Sequence, residues 1–509
     1  MQSKKHFFIF RKYISLLFRN NLAILAEIKI GNFMDNKHSL LQRLGLFTAI
    51  TIVIGSMIGS GIFKKSASMS AELGAPGILI AIWVGAGIIS LIGALINAEV
   101  TGLIPRAGGQ YVYFREMYGK FTAFIYGWST FSVIQTGSIA AIAYIFSGYL
   151  EYFFPAPHLS PAWEAWGFSI PIAGVNVLDL YPLKDIGLKM MTIILIMFLS
   201  VVNYFGVVFG GMVNNVFTTL KSAAIGVIII AALVFGVGHT ANFSPFINTA
   251  FQYPSGTLLG AIILALSGAF WAYDGWNNIT YLGAEIKEPQ RNIPKALIFG
   301  VGFVIVVYTL INLAYLYILP IEQMSKSSLL ASDVMQAVVG NWGGAFVAIA
   351  VMVSTFGTTN GTILASARVY YAMARDGLFF KKLEDVHHKH RTPGVSILVQ
   401  GIWASLIAMT GTFDQITDML IFVSWIFYGL GAFGVFVLRK KMPNDERPYK
   451  VIGYPVLPII FILCAAFFVV FSFKENIRNA VFGLLLVVIG IPFYFYFNRQ
   501  GSKGNLTPR

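Results

Sequence analysis

Long stretches without a charged residue recur along this chain, and they constrain its fold more than any other feature of the sequence. An α-helix needs about 20 apolar residues to cross the roughly 30 Å hydrocarbon layer of a membrane. Twelve uncharged stretches suit this length, at residues 44–63, 75–98, 121–148, 190–211, 222–248, 256–284 (interrupted by Asp274), 296–319, 342–367, 395–413, 419–438, 451–473 and 479–498. The sequence therefore predicts an all-α polytopic membrane protein with twelve transmembrane helices.

The composition excludes the main alternatives to a helical membrane protein. Hydrophobic residues make up 57% of the chain and charged residues only 11%, against about 25% charged residues in ordinary soluble domains. A transmembrane β-barrel is excluded because its short strands alternate apolar and polar residues, whereas the apolar runs here are continuous. Cys464 is the one cysteine, so a disulfide framework and a cysteine-based metal site are excluded as well.

The distribution of basic residues predicts the orientation in the membrane. A net charge of +14 can indicate nucleic-acid binding, but in a membrane protein Lys and Arg gather on the cytoplasmic side. With a cytoplasmic N-terminus, 28 of the 36 Lys and Arg residues fall inside and seven outside, which leaves Lys221 within a span. We therefore expect both termini in the cytoplasm and no nucleic-acid partner.

The N-terminal residues 1–33 are basic and aromatic, and no small-residue cleavage site follows an apolar segment there. Two interpretations stay open. The segment is either an over-extended start or an amphipathic helix that lies on the membrane surface.

The first span contains an unusual group of small residues. Gly55, Gly59 and Gly61 lie in its middle together with Ser56 and Ser60. Small residues four apart can indicate close helix packing. Alternatively, the freedom of the glycine backbone unwinds the helix and exposes N–H groups at the positive end of a half-helix, where a carboxylate binds.

The sixth span has an acidic residue in its middle. Asp274 lies beside Trp271, Tyr273 and Trp276 within an otherwise apolar run. A charged side chain at that depth costs about 2.5–3.5 kcal/mol on insertion scales, so we expect it to face a cavity or a partner. A purely structural polar contact is the alternative.

The two interrupted spans are the first and the sixth of twelve. An inverted repeat of five plus five spans places its broken helices at these positions, and a substrate site lies between them near the membrane midplane. Spans 11 and 12 then lie outside the repeat.

Lys221 lies near the cytoplasmic end of the fifth span. A lysine at this depth either extends to the membrane surface or turns inward as a fixed cation. The seven histidines fall in loops, termini or span ends, so no intramembrane metal site is predicted, and no P-loop suggests ATP-driven transport.

Several motifs, in this order, resemble the amino acid/polyamine/organocation superfamily and, within it, the L-type amino acid transporter family. The resemblance covers residues 40–498. The motifs are GSMIGSGIF at 55–63, AEVTGLIPRAGGQYVY at 98–113, WAYDGWN at 271–277 followed by Glu285, Pro289, Arg291, Asn292 and Pro294, NGT at 360–362, ARVYYAMARDG at 367–377, ERPYK at 446–450 and GYP at 453–455.

The resemblance implies a LeuT-type fold and alternating-access transport of amino acids. It implies a single twelve-helix transporter domain at 44–498, between a cytoplasmic N-terminal segment at 1–43 and a cytoplasmic tail at 499–509. It implies further that Lys221 stands where sodium-coupled relatives hold an ion. Sodium-independent exchange of L-amino acids in the cell membrane is the function expected from it, with no cofactor and no enzymatic activity.

The resemblance also implies a set of substrate-binding residues. The backbone amides of Gly59, Ser60 and Gly61 are expected to hold the substrate carboxylate. The carbonyl groups of Met57, Trp271 and Asp274 are expected to receive the ammonium group, and Trp271 to close over the substrate from outside. The full predicted set is Met57, Gly59, Ser60, Gly61, Trp271, Ala272, Tyr273 and Asp274.

Two departures from the family affect these expectations. Animal light chains carry a cysteine after span 3 for a disulfide to a heavy subunit, and residues 149–184 here contain none. We therefore expect a bacterial-type carrier without a disulfide-linked heavy subunit. Asp274 stands where some members have glycine, so cationic substrates stay open beside neutral ones.

Three other functions compete with exchange. A proton-coupled amino acid or polyamine symporter of the same superfamily is the nearest. A channel would not need a closing aromatic residue. A membrane-embedded enzyme would need a buried catalytic group, and the sequence offers no candidate for one.

Overall fold

The computed structural model describes residues 44–106, 108–172, 175–205, 210–235, 238–387 and 392–504. The predicted N-terminal segment 1–43 and residues 505–509 of the predicted tail lie outside this part of the chain. Its α-helices are α1 (Leu46–Met57), α2 (Gly61–Leu73), α3 (Pro76–Leu103), α4 (Gln110–Tyr118), α5 (Lys120–Ser129), α6 (Gln135–Leu150), α7 (Pro161–Glu164), α8 (Ile186–Tyr204), α9 (Gly210–Val234), α10 (Leu258–Tyr273), α11 (Asn278–Tyr281), α12 (Pro289–Ile318), α13 (Ile321–Lys326), α14 (Leu330–Val339), α15 (Asn341–Arg375), α16 (Gly394–Thr410), α17 (Phe413–Lys441), α18 (Val456–Glu475), α19 (Ile477–Val488) and α20 (Gly490–Gly504).

The predicted architecture of a polytopic helical membrane protein is confirmed. Within the described residues, ten helical segments are long and apolar enough to cross a membrane. They correspond to all the predicted spans except the sixth and the ninth. These two are the shorter apolar helices α10 and α16.

Several helices end elsewhere than predicted. The fifth span was predicted at residues 222–248, but α9 covers Gly210–Val234. That prediction was wrong because an uncharged run is not necessarily a helix. Pro245 and Pro254 lie in the uncharged segment after α9, whose described residues form a short 3₁₀ helix and loops, and proline disrupts a helix interior. Conversely, α2 and α15 continue past the predicted ends into charged residues.

An antiparallel hairpin, which the sequence analysis did not predict, lies between α6 and α8. Its strands are β1 (Phe168–Ile172) and β2 (Val175–Leu180). The register pairs Phe168 with Leu180 and is irregular between Ile170 and Pro171. The hairpin therefore belongs to the connection between the third and fourth spans.

The two interrupted spans contact each other inside the helix bundle. Between α1 and α2 lie residues 58–60, and between α10 and α11 lie residues 274–277; we call these segments the first and the second break. Helix α2 packs against α10, α12 packs against α1 and α3, and α9 packs against α1 and α15. This packing surrounds both breaks with helices.

Ion pairs with one buried member each join the helices near both ends of α17. At its start, where Thr412 and Gln415 form a capping box, Lys65 of α2 bonds Asp414 at 2.6 Å. Near its end, Arg439 donates to both carboxylate oxygens of Glu99 on α3, at 2.9 and 2.7 Å. Both pairs therefore link α17 to helices of the first repeat.

A second group of polar contacts lies around α4 and the end of α15. Asp376, directly after α15, accepts hydrogen bonds from Arg115 and from the hydroxyl of Tyr111. Burial, reinforced by the Asp376 carboxylate, raises the pKa of Tyr111, so its hydroxyl stays a neutral donor. Arg368 of α15 bonds Glu285 at 2.8 Å. These contacts hold α15 against α4 and the segment after α11.

We expect Glu99→Gln to destabilise the fold markedly. Glu99 is only 2% exposed and also accepts the backbone N–H of Val451 at 2.7 Å. Removing one partner of a buried ion pair costs about 3–5 kcal/mol because the other charge loses its compensation. The midpoint of thermal unfolding of the purified protein should fall clearly. Glu288→Gln is the control, because the Glu288–Arg291 pair is exposed and spans 3.9 Å. Equal midpoints for both variants would contradict this role of Glu99.

Candidate functional site

The first break leaves backbone donors free at the start of α2. Helix α1 ends at Met57, Ile58 is extended (φ −72°, ψ 92°), and Ser60 is the N-cap of α2. Among the described residues, the N–H groups of Gly59 and Ser60 have no hydrogen-bond acceptor. The hydroxyl of Ser60 is also unpaired, although the residue is only 1% exposed. These donors lie at the positive end of a helix dipole, which favours an anion.

The second break packs directly on the first. Asp274 is extended (φ −68°, ψ 162°), and Gly275 takes φ +97°, which favours glycine. A side chain at Gly275 would also meet the carbonyl oxygen of Ser56 at 2.7 Å. Glycine is therefore required at this position for two independent reasons.

A small, partly open cavity lies between the two breaks. Six of the eight predicted substrate-binding residues line it: Met57, Gly59, Ser60, Gly61, Trp271 and Asp274. The other lining residues are Ser56, Gln135, Ser138, Ile142, Gly275, Asn278 and Thr362. The two parts of the chain that the sequence singled out thus meet at one cavity.

Ala272 and Tyr273 are not among the lining residues. Ala272 packs against Gly61, where an added Cβ would approach the Cα of Ala272 to 2.5 Å. The ring of Tyr273 contacts those of Trp83 and Tyr308. Both residues therefore pack α10 against its neighbours.

Two of the carbonyl groups predicted to receive an ammonium group already accept a hydrogen bond. The hydroxyl of Tyr308 lies 2.8 Å from the carbonyl oxygen of Met57 and 3.1 Å from that of Ala272, which links both interrupted spans to α12. The carbonyl oxygen of Trp271 accepts the N–H of Asp274 at 3.1 Å. A carbonyl oxygen has two lone pairs, so each can accept one further donor.

The side chain of Asp274 is buried at the edge of the cavity. It is 9% exposed, and its Oδ1 accepts the hydroxyl of Tyr428 on α17 at 2.5 Å. The carboxylate therefore has a structural partner and also lines the cavity. Both interpretations from the sequence are compatible with this arrangement.

Trp271 separates the cavity from the ion pair at the start of α17. Its ring lies edge-on to Phe413 at 6.2 Å, and the ammonium group of Lys65 lies 4.9 Å from the centre of the Phe413 ring. The indole N–H of Trp271 has no partner among the described residues. It remains a donor in a residue that lines the cavity.

Lys221 turns inward and does not extend to the membrane surface. It is 2% exposed and donates to the carbonyl oxygens of Gly55 at 2.5 Å and Ile58 at 2.6 Å. Its third hydrogen bond goes to the hydroxyl of Thr358 on α15 at 2.8 Å. All three donors of the ammonium group are thus used to hold the first break between α9 and α15.

The contribution of α6 to the cavity was not predicted from the sequence. Gln135, Ser138 and Ile142 follow a spacing of three and then four residues, so they share one helix face. The amide of Gln135 donates to Asn278 Oδ1 at 3.1 Å, while its own Oε1 is unpaired in the described structure. The sequence pattern that could have indicated this contribution is the presence of two polar residues on one face of an apolar span. Such a pattern commonly reflects helix packing.

Comparison with known proteins identifies the family. A family model for amino acid permeases matches residues 44–493. This chain belongs to the amino acid permease family. The family resemblance inferred from the motifs is confirmed, and the permease is a multi-pass membrane protein that transports amino acids.

The sequences of several named transporters align with most of the permease. The b(0,+)-type amino acid transporter 1 of Mus musculus is 32% identical over 90% of this chain and 88% of its own length. The serine/threonine exchanger SteT of Bacillus subtilis (strain 168) is 31% identical over 92% of this chain and 99% of its own. The large neutral amino acids transporter small subunit 2 of Mus musculus is 30% identical over 90% and 81%.

We expect Gly61→Ala to impair the permease far more than Gly59→Ala. A methyl group at Gly61 would collide with the backbone of Ala272, whereas one at Gly59 would meet only the Thr358 methyl at 3.3 Å. Overpacking typically costs about 1–3 kcal/mol. Gly61→Ala should therefore lower the thermal midpoint. It should also reduce the uptake rate in proteoliposomes at least tenfold, since a factor of ten corresponds to about 1.4 kcal/mol. Equal tolerance at both positions would show that α2 does not pack this tightly on α10.

Proposed function

We propose that this permease exchanges L-amino acids across the cell membrane by alternating access and without sodium coupling. The observation that carries the proposal is the pairing of unused N–H donors with oxygen acceptors across one small cavity. An amino acid is a zwitterion, so its binding site needs a positive pole and a negative pole a few ångströms apart.

The positive pole is the start of α2. The free N–H groups of Gly59 and Ser60 suit the substrate carboxylate, and the unpaired hydroxyl of Ser60 adds a further donor. The negative pole is formed mainly by the second break, where the substrate ammonium group reaches the carbonyl oxygens of Trp271 and Asp274. The free lone pair of the Met57 carbonyl oxygen, at the end of α1, adds a third acceptor.

The remaining wall of the cavity favours small or medium neutral side chains. Gln135, Ser138, Ile142 and Thr362 offer both polar and apolar contacts. The cavity is small and the substrate backbone occupies part of it, which favours such side chains over bulky ones. Asp274 leaves room for a cationic substrate as a second class.

The relatives support exchange as the mode of transport. SteT is named as a serine/threonine exchanger and aligns over nearly its whole length. Small hydroxylated amino acids are also compatible with Ser138, Gln135 and Thr362 in the cavity wall.

Lys221 supports the absence of sodium coupling. Its ammonium group is held by three oxygen atoms, and oxygen atoms are also the ligands that hard cations prefer. The fixed cation occupies a position between α1, α9 and α15 that would otherwise be open to a transported ion.

The same proposal includes the topology. Both termini lie in the cytoplasm, because 28 of 36 basic residues then face inward. One transporter domain covers residues 44–498. Cys464 is the one cysteine and lies within α18, so the carrier works without a disulfide-linked heavy subunit.

Exchange is tested with purified protein in proteoliposomes. Uptake of labelled serine should require unlabelled amino acid inside the vesicles and should not change when choline replaces sodium. Lys221→Ala should lose uptake, because the first break loses three hydrogen bonds, while it still inserts into the membrane. Lys184→Ala, which removes a lysine from a loop, is the matched control and should retain uptake.

Two results would contradict this mechanism. A strict sodium requirement would exclude the proposed role of Lys221. Uptake into empty vesicles that a proton gradient drives would instead establish proton-coupled symport.

The role of Asp274 is tested with Asp274→Asn, which preserves much of its shape and hydrogen bonding. If its charge selects substrates, this change should reduce competition by arginine and lysine at least tenfold, or about 1.4 kcal/mol, with little effect on serine and alanine. Tyr428→Phe is the matched control, since it removes the hydrogen bond to Asp274 and keeps the charge. If arginine and lysine do not compete in the wild type, Asp274 has a structural role and the substrates are neutral.

A further inference from the structure

Three side chains of metal-binding type converge at the connection between α6 and α8. His158 lies in the loop after α6, Glu164 ends α7, and Asp185 directly precedes α8. One ligand atom from each residue lies within 4.8 Å of the others. The three residues come from separate short segments, so the fold brings them together.

We propose that His158, Glu164 and Asp185 form a Zn²⁺ site, with water completing the coordination. An imidazole nitrogen and two carboxylate oxygens are common zinc ligands, and three protein ligands leave a position open for solvent. The site lies apart from the transport cavity and on the face that the charge distribution predicts to be external.

The distance between two of the ligands already fits a shared metal ion. Nδ1 of His158 lies 3.3 Å from Oε1 of Glu164. Ligands that bind one zinc ion tetrahedrally, at about 2.0–2.2 Å, stand about 3.3–3.5 Å apart. The third ligand oxygen, from Asp185, lies within 4.8 Å of both of these atoms. The side chain of His158 is 60% exposed, so it can adjust toward a shared ion.

A simple ion pair between His158 and Glu164 does not account for the third residue. The carboxylates of Glu164 and Asp185 repel each other at this range unless a cation lies between them. Lys189, the nearby lysine of α8, donates to the carbonyl oxygens of Tyr181, Pro182 and Met409, at 2.8, 3.4 and 3.4 Å, and its charge also interacts with that of Asp185. It therefore holds the turn before Asp185.

The backbone around the ligands is packed closely enough to preorganise them. Pro157 lies so near Gly187 that a Cβ at Gly187 would overlap Pro157 Cδ at 2.8 Å. This contact places His158 next to the start of α8. Asp185 is held in the left-handed region (φ +52°), and its carbonyl oxygen accepts the N–H of Lys189 at 3.0 Å. Bound zinc would tie α8 to α6, the helix that carries Gln135 and Ser138.

The test uses full-length protein without a polyhistidine tag, titrated with zinc chloride by calorimetry. Zinc should bind to the wild type with one more equivalent than to His158→Ala, and should raise its thermal midpoint more. Asp185→Asn should weaken this binding at least about tenfold while keeping the backbone, because asparagine tolerates the left-handed region. His239→Ala, which removes an exposed loop histidine elsewhere, is the control and should bind like the wild type.

The comparison between variants is essential because the chain also has His387, His388 and His390, which can bind zinc by themselves. Equal zinc stoichiometry and affinity in the wild type and His158→Ala would overturn the proposal. So would an equal response to calcium or magnesium chloride, since hard cations need no imidazole ligand.

Discussion

A helix that is interrupted inside a membrane must find partners for the backbone groups that the interruption releases, because lipid offers none. Here Lys221 provides hydrogen-bond donors for carbonyl oxygens that the first break releases. Its ammonium group binds the carbonyl oxygens of Gly55 and Ile58, while Tyr308 donates to that of Met57. The carbonyl groups at the end of α1 are thus satisfied by side chains from α9 and α12, and the break persists within a packed bundle.

The donors at the start of α2 are left unsatisfied by the same arrangement. With the carbonyl groups occupied, the free N–H groups of Gly59 and Ser60 face a cavity that also contains oxygen atoms of the second break. This asymmetry supports the proposal that the site binds a molecule with its own anionic and cationic ends. The ion pairs Lys65–Asp414 and Glu99–Arg439 hold helices together on either side of this central region.

The sequence located both breaks from two local features. Glycines at 55, 59 and 61 give the backbone freedom to unwind, and a carboxylate at 274 is costly in an apolar span. Two orientations of Lys221 are compatible with the sequence, since both are physically allowed at its depth. The contribution of Gln135 and Ser138 is not evident from the sequence, because polar residues on one helix face also mediate packing. Ala272 and Tyr273 were predicted in the site by their position in a motif, although they face other helices.

The sequence by itself determined the membrane environment and the two positions where helices break. These properties depend on local hydrophobicity and backbone freedom, which can be read from consecutive residues. Only the tertiary structure decided which groups meet across the breaks: Lys221 with Gly55, Tyr428 with Asp274, and Gln135 with Asn278. These pairs are separated by more than 100 residues. Their contacts depend on how the helices pack and on which face each helix turns inward, and no local pattern specifies that.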